Sequence, residues 1–222
     1  RLLRQHADRV RLTKDFTVFD DDDQKRLVGS ILKDMNVSER ITPRAILSRI
    51  DRAKNAGVDP AAAPSKDYVD DVMKRVAPLY AERLQRENAV DFNDLLLKVL
   101  ELFDDKELGP RLSRRFKHVL VDEFQDTNKV QYRLVQKMCA TRNLCAVGDD
   151  DQSIYAFRGA NVGNMTDYER DYQVGKVVRL EQNYRSHGNI LDSANALIAH
   201  NARRLGKNLW TAAGAGELLR VC

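Results

Sequence analysis

Three short apolar runs, each ending abruptly in polar residues, constrain this chain more than any other feature. Phe116 to Val121 leads into Asp122-Glu123. Leu144-Cys145-Ala146-Val147-Gly148 leads into Asp149-Asp150-Asp151-Gln152. Val177-Val178-Arg179-Leu180 leads into Glu181-Gln182-Asn183-Tyr184-Arg185-Ser186. Apolar runs this short, alternating with helices, fit strands of a sheet covered on both faces. Helical patterns occupy Asn128 to Ala140 and Ile190 to Asn201. The alternation predicts an α/β fold, a parallel sheet with helices on both faces. Such sheets bind ligands at the carboxyl ends of their strands. The three polar clusters are therefore expected to converge on one edge.

The preceding hundred or so residues follow a different grammar. Phe16 to Phe19 is a strand candidate, and the pattern then turns helical. The acidic run Asp20 to Asp23 suits a turn and a helix N-terminus, where carboxylates complement the helix dipole. Leu27, Ile31 and Leu32 share one helix face. Thr42-Pro43 opens the next helix, with Thr as cap and Pro in the first turn. Ile46, Leu47 and Ile50 follow at helical spacing, and Gly57 ends that helix. Val69, Met73, Val76, Tyr80 and Leu84 mark one side of a longer helix that Pro78 should kink. Asp91 caps another, in which Phe92, Leu95, Leu96, Val99 and Phe103 are expected to face a core.

Composition excludes several classes. With 43% hydrophobic and 32% charged residues the chain is too charged for a membrane protein and too apolar for disorder. A net charge of +4 is weak support for a nucleic-acid partner. Cys139, Cys145 and Cys222 form no CxxC or Cys/His metal spacing, which suggests reduced cytosolic thiols, two of them buried. No signal peptide opens the chain, and a cytoplasmic location is expected. The chain starts without Met at Arg1 and stops at Cys222 just past a strand-like segment, so both ends look cut.

The polar clusters carry the chemistry. A strand ending in Asp122-Glu123 can place one carboxylate on Mg²⁺ and the other on an attacking water. The plain alternative is an acidic pair at a strand end, which is common. Gln152 can hydrogen-bond a phosphate oxygen or a water. Tyr155 and Phe157, beside Arg158, suit stacking on single-stranded bases, although isolated aromatics more often sit in a core. Arg185 can act as an arginine finger on a phosphoryl group, or simply as a surface cation in an ion pair.

In combination the clusters are far more specific. Asp122-Glu123-Phe124-Gln125-Asp126-Thr127, the run Gly148 to Ala160 and Glu181-Gln182-Asn183-Tyr184-Arg185-Ser186 resemble, in order, three motifs of the superfamily 1 DNA helicases of the UvrD/PcrA/Rep type. The resemblance spans essentially the whole chain. Nuclease-helicase subunits of the RecB type share the first run but usually carry Pro-Lys-Gln-Ala where this chain has Asp150-Asp151-Gln152-Ser153, so the UvrD/PcrA/Rep type fits better.

The resemblance implies a partial RecA-like parallel sheet plus an all-helical inserted subdomain. Residues 1–19 and 88–180 would belong to a first RecA-like domain, 20–87 to the helical insertion, and 181–222 to the start of a second RecA-like domain. It implies that Asp122 holds Mg²⁺ and Glu123 is the catalytic carboxylate. Gln152 would sense the γ-phosphate and Arg185 would be the arginine finger. Tyr184 would stack on adenine, and Arg158 would couple phosphate to DNA. Tyr155 and Phe157 would stack on bases, Phe157 standing where many relatives have Trp. The implied cofactors are ATP and Mg²⁺. The implied partners are single-stranded DNA, single/double-strand junctions and proteins of DNA repair or replication.

One departure matters. The chain has no G-x-x-x-x-G-K-[ST] loop: Gly175-Lys176 and Gly206-Lys207 lack the earlier Gly and the following Ser/Thr. Without that loop no backbone cradle and no Lys hold the phosphates. The expectation is an internal piece of a helicase that is inactive alone. The rivals are a helicase-derived module that binds DNA or a partner without hydrolysis, and a generic α/β protein whose three ordered motifs are accidents.

Overall fold

A computed structural model describes residues 1–155, 159–161, 163–201 and 206–220. The described chain is mixed α/β, with helices and two short parallel strand pairs.

The helical stretch forms where the caps and spacing place it. Helix α1 (Leu2–Gln5) and β1 (Thr17–Val18) precede α2 (Asp21–Asp34). Asp20 caps α2 by accepting from the backbone of Asp22 and Asp23, and Asp23 returns the bond to Asp20. The acidic run is thus a helix start. Helix α3 (Pro43–Asn55) begins at Thr42, whose hydroxyl accepts from Ala45 N–H, and ends before Gly57, which adopts φ +69°. Helix α4 (Tyr68–Arg86) runs on through Pro78. Val28, Ile31, Ile46, Ile50, Val72, Val76 and Tyr80 interlock as a fully buried core between α2, α3 and α4.

Strand β2 (Ala89–Val90), which the sequence pattern did not predict, pairs in parallel with β1. Asp91 then caps α5 (Phe92–Asp104) in a box with Asp94. A second core gathers Leu3, Val10, Phe16, Val90, Leu102, Phe103 and Leu112, the last from α6 (Leu108–Ser113). Phe92 departs from expectation. It is 58% exposed, while Leu100, Leu102 and Phe103 supply the buried face of α5. In that first turn it is Asp91 and Asp94 that turn inward, toward Lys54 of α3, and Phe92 between them faces out.

Strand β3 (Val119–Val121) pairs in parallel with β4 (Leu144–Ala146), and α7 (Lys129–Met138) connects them. Val119 is buried, whereas Leu120 and its cross-strand partner Cys145 are exposed. Among the described cysteines only Cys139 is therefore buried. Helix α8 (Gly163–Tyr172) follows, unanticipated by the sequence reading, and reaches back through the Tyr168 hydroxyl to the Leu144 carbonyl.

The third expected strand does not form. Val177, Val178 and Leu180 are exposed and belong to no ladder, although they face β4 across a cleft of about 1130 Å³. A strand exists through a ladder with a neighbouring strand, and residues 177–180 are assigned to none. Beyond it lie an isolated parallel bridge, Gln182 with Trp210, and α9 (Gly188–Ile198). No described helix is long and apolar enough to cross a membrane.

Candidate functional site

Because β3 and β4 run in parallel, their carboxyl ends open onto the same side. The Phe124 N–H donates to the Val147 carbonyl, and the Val147 N–H to that of Val121. The loops after the two strands are thereby stitched together as they leave the sheet.

Asp122 and Glu123 are both exposed at the end of β3. The Glu123 N–H donates to Asp122 Oδ1 at 2.9 Å, and Glu123 itself takes φ +50°. A left-handed conformation is uncommon for a residue with a Cβ. Here it turns the backbone sharply enough to leave both carboxylates at the strand end.

The residue that organises the site is Gln125, which the sequence reading quoted but assigned no role. It is 1% exposed. Its Nε2 donates to Glu123 Oε2 at 2.8 Å, and its Oε1 accepts from the Asp149 N–H at 2.9 Å. One buried amide thus joins the carboxylate after β3 to the backbone after β4. Gly148 makes room for it, since a Cβ there would stand 2.9 Å from Gln125 Oε1. A polar residue in an acidic run gives no sequence signal that it points inward.

The chain of contacts continues along the second loop. Gln152 Nε2 donates to Asp149 Oδ2 at 2.6 Å, and Lys207 forms an ion pair with the same oxygen. Burial works to raise the Asp149 carboxyl, but the bonds from Lys207 and Gln152 outweigh it and hold the group below its ordinary value. Asp149, Asp150 and Asp151 bring carboxylate oxygens within 4.8 Å of one another. Lys207 belongs to the Gly206-Lys207 pair, and one of its partners is this carboxylate.

The loops are braced a second time further out. Asn128 caps α7 and accepts from Gln131. The Asn161 N–H donates to the Thr127 carbonyl at 3.0 Å, and the buried Asn164 amide donates to Thr127 and to the Asn128 carbonyl. One acceptor is left over: Asp126 Oδ1 is buried with no hydrogen-bond partner among the described residues.

The sequence-predicted residues are therefore brought together in part. Asp122, Glu123 and Gln152 share one network through Gln125 and Asp149. Tyr155 follows in the same loop at 37% exposure. Phe157 and Arg158 lie outside the described residues. Tyr184 is 85% exposed, its hydroxyl donating to Gln182 at 2.8 Å. Arg185 is exposed too, and its guanidinium has no hydrogen bond or ion pair among the described residues. Tyr184 and Arg185 thus stand exposed, apart from the network of the first two clusters as the described residues show it. The strand expected to carry them to the shared edge is the one that does not form.

Parallel strands whose carboxyl ends present a paired acidic group, tied by a buried amide to a second polar loop, place these groups where α/β sheets bind their ligands. Comparison with known proteins supplies the class. Residues 1–173 match the family model of the UvrD/REP helicase N-terminal domain, and the chain belongs to that family. It is 44% identical to the ATP-dependent DNA helicase UvrD1 of Mycobacterium tuberculosis over 99% of its own length and 30% of the relative's. It is 40% identical to the ATP-dependent DNA helicase PcrA of Staphylococcus epidermidis over 99% of its length and 31% of the relative's. PcrA of Staphylococcus aureus is likewise 40% identical, over 98% and 30%. The chain spans about a third of the length of these relatives.

Proposed function

We propose that this chain works within a longer ATP-dependent DNA helicase that translocates on single-stranded DNA and unwinds duplex. The observation that carries the reading is the Glu123–Gln125–Asp149–Gln152 chain of hydrogen bonds. It links a carboxylate suited to activating water with a glutamine suited to sensing phosphate. The names of the relatives support the same reading.

The residues fit ATP and Mg²⁺ in part. Asp122 and Glu123 offer adjacent exposed carboxylates, hard oxygen donors of the kind Mg²⁺ takes. The phosphate cradle has no counterpart in this chain. When bound, Mg²⁺-ATP supplies the electrophilic phosphoryl group and the free energy for movement. Asp122 would hold the metal and Glu123 would orient and deprotonate water. Gln152 would report the γ-phosphate to the second loop, which continues into Tyr155, Phe157 and Arg158 for bases and backbone. Tyr184 would stack on the adenine, and Arg185 would present its cation to the γ-phosphate oxygens after the third segment moves in. The division proposed for the chain is residues 1–19 and 88–180 in a first RecA-like domain, 20–87 as helical insertion, and 181–222 in a second. Substrates would include single/double-strand junctions, in a repair or replication setting.

Steady-state ATP hydrolysis, with and without single-stranded DNA, tests this. The chain alone should show none. A protein extended at both ends by the segments its relatives carry should hydrolyse ATP and respond to DNA. Hydrolysis by the chain alone would overturn its proposed inactivity. An extended protein that binds single strands without hydrolysis would favour the alternative, a binding module derived from a helicase.

A further inference from the structure

The C-terminus of α3 meets both site loops at a single residue. Asn55 Oδ1 accepts from Asn128 Nδ2 at 2.8 Å, and Asn128 is the cap that ends the loop after β3. On its other side, Gly159 of the loop after β4 packs against the same side chain. A Cβ at Gly159 would stand 3.0 Å from Asn55 Cβ and 3.4 Å from its Cγ, and Gly159 has φ +86°. Gly57, two residues on, rests near Val130 and Arg133 of α7.

The neighbouring residue anchors this point of α3. Lys54 is buried, and its Nζ donates to Asp91 Oδ2 at 2.6 Å and to Asp94 Oδ1 at 2.7 Å at the start of α5. Burial would lower the Lys54 ammonium, but Asp94 and Asp91 outweigh it and keep it charged. The Tyr80 hydroxyl of α4 also donates toward Asp91 or Gln24 of α2, at 3.2 Å to each. Asn55 therefore stands on a part of the helical bundle that is pinned to its neighbours by a buried ionic network.

We propose that Asn55 is a positioning residue, seated on the helical bundle, that keeps the loops after β3 and β4 in register, so that the response of ATP hydrolysis to DNA depends on it. This rests on the reading of the chain as part of an ATP-dependent DNA helicase. Asn55 lies outside the Glu123–Gln152 network and acts through Asn128 and Gly159. The two loops are already joined directly by Gln125 and by Asn161, so removing Asn55 leaves the carboxylate network intact. What it removes is the bond to Asn128 and the contact with Gly159, through which this one side chain of α3 meets both loops.

The test uses the extended protein and compares the maximal hydrolysis rate at saturating single-stranded DNA, the DNA-free rate and KM for ATP. Asn55→Ala should lower the DNA-stimulated rate by roughly two- to thirtyfold, the span of substitutions that act on coupling. The DNA-free rate and KM should stay about the same. Asn55→Asp keeps an acceptor for Asn128 and should restore most of the stimulation. Gly159→Ala should repeat the alanine phenotype by pushing Asn55 away. If Asn55→Ala proves unstable to heat, Asn55→Ser, too short to reach Asn128, carries the same expectation. An equal fall in stimulated and unstimulated rates, or no change in either, would overturn the proposal while leaving the helicase reading intact. Absence of DNA-stimulated hydrolysis in the unsubstituted extended protein would overturn the helicase reading, and this proposal with it.

Discussion

At the residue scale the site depends on buried polar groups that have no spare partners. Gln125 is the sharpest case. Replacing it with Leu leaves the Asp149 N–H without its acceptor and releases Glu123. A buried donor without a partner costs about 1–3 kcal/mol. Gln125→Leu should lower the urea midpoint accordingly, and in an extended protein it should lower the hydrolysis rate more than it changes KM for ATP. Asp51 gives a pH signature. Burial first, and then the Asp91 carboxylate, push its carboxyl up to about 6 from 3.8, against the pull of Lys54. A carboxyl raised in the folded state binds its proton more tightly there than in the unfolded chain. Its contribution is complete below about pH 4 and is lost as pH rises through about 6. Asp51→Asn should therefore flatten stability between those values and leave the protein more stable at pH 8. The gain should be about 1–2 kcal/mol once partial exposure is allowed for, and urea unfolding at pH 4 and pH 8 checks it. None of this was legible in the sequence, where Gln125 and Asp51 look like ordinary surface polar residues.

At the scale of elements, capping chemistry was the most readable layer. Asp20, Thr42 and Asp91 each begin the helix that follows, as their residue types indicate, because a short polar side chain satisfies N–H groups the helix leaves open; Asn128 does the same for α7. Thr42→Ala should cost about 1 kcal/mol on that account, measurable as a lower unfolding midpoint with the α2–α4 core otherwise intact. Strands were less readable. Those of β1 and β2 are two residues each and exist through one another, so Ala89–Val90 carries no pattern of its own. Val177 to Leu180 has the composition of a buried strand but is assigned to no strand ladder. Helical spacing alone puts Phe92 on the core face, but the inward-facing groups of that first turn are Asp91 and Asp94, which bond Lys54. Helix α8 was passed over because its apolar residues are few and its anchors are polar, Asn164 on Thr127 and Tyr168 on Leu144.

At the scale of the whole molecule, two compact cores meet along α3, α5 and β2, and the site loops lie beside that junction. Lys54 is the main ionic tie across it. Lys54→Met would leave Asp91, 1% exposed, without its cation. Breaking a buried pair on one side costs about 3–5 kcal/mol, so this variant should show an early loss of structure in thermal unfolding. The order of the three motifs was legible from the residues alone, since ordered motifs survive where single residues mislead. The expected convergence of all three clusters went further than the pattern allows, because it required the third segment to join the sheet and residues 177–180 are assigned to no strand. Under the proposed function Glu123 serves ATP-driven strand separation. The most direct measurement is unwinding of a tailed duplex by the extended protein, beside its Glu123→Gln variant. ATP-dependent unwinding that the substitution abolishes, with single-strand binding retained, is the predicted result. Unwinding that persists in Glu123→Gln would contradict the account.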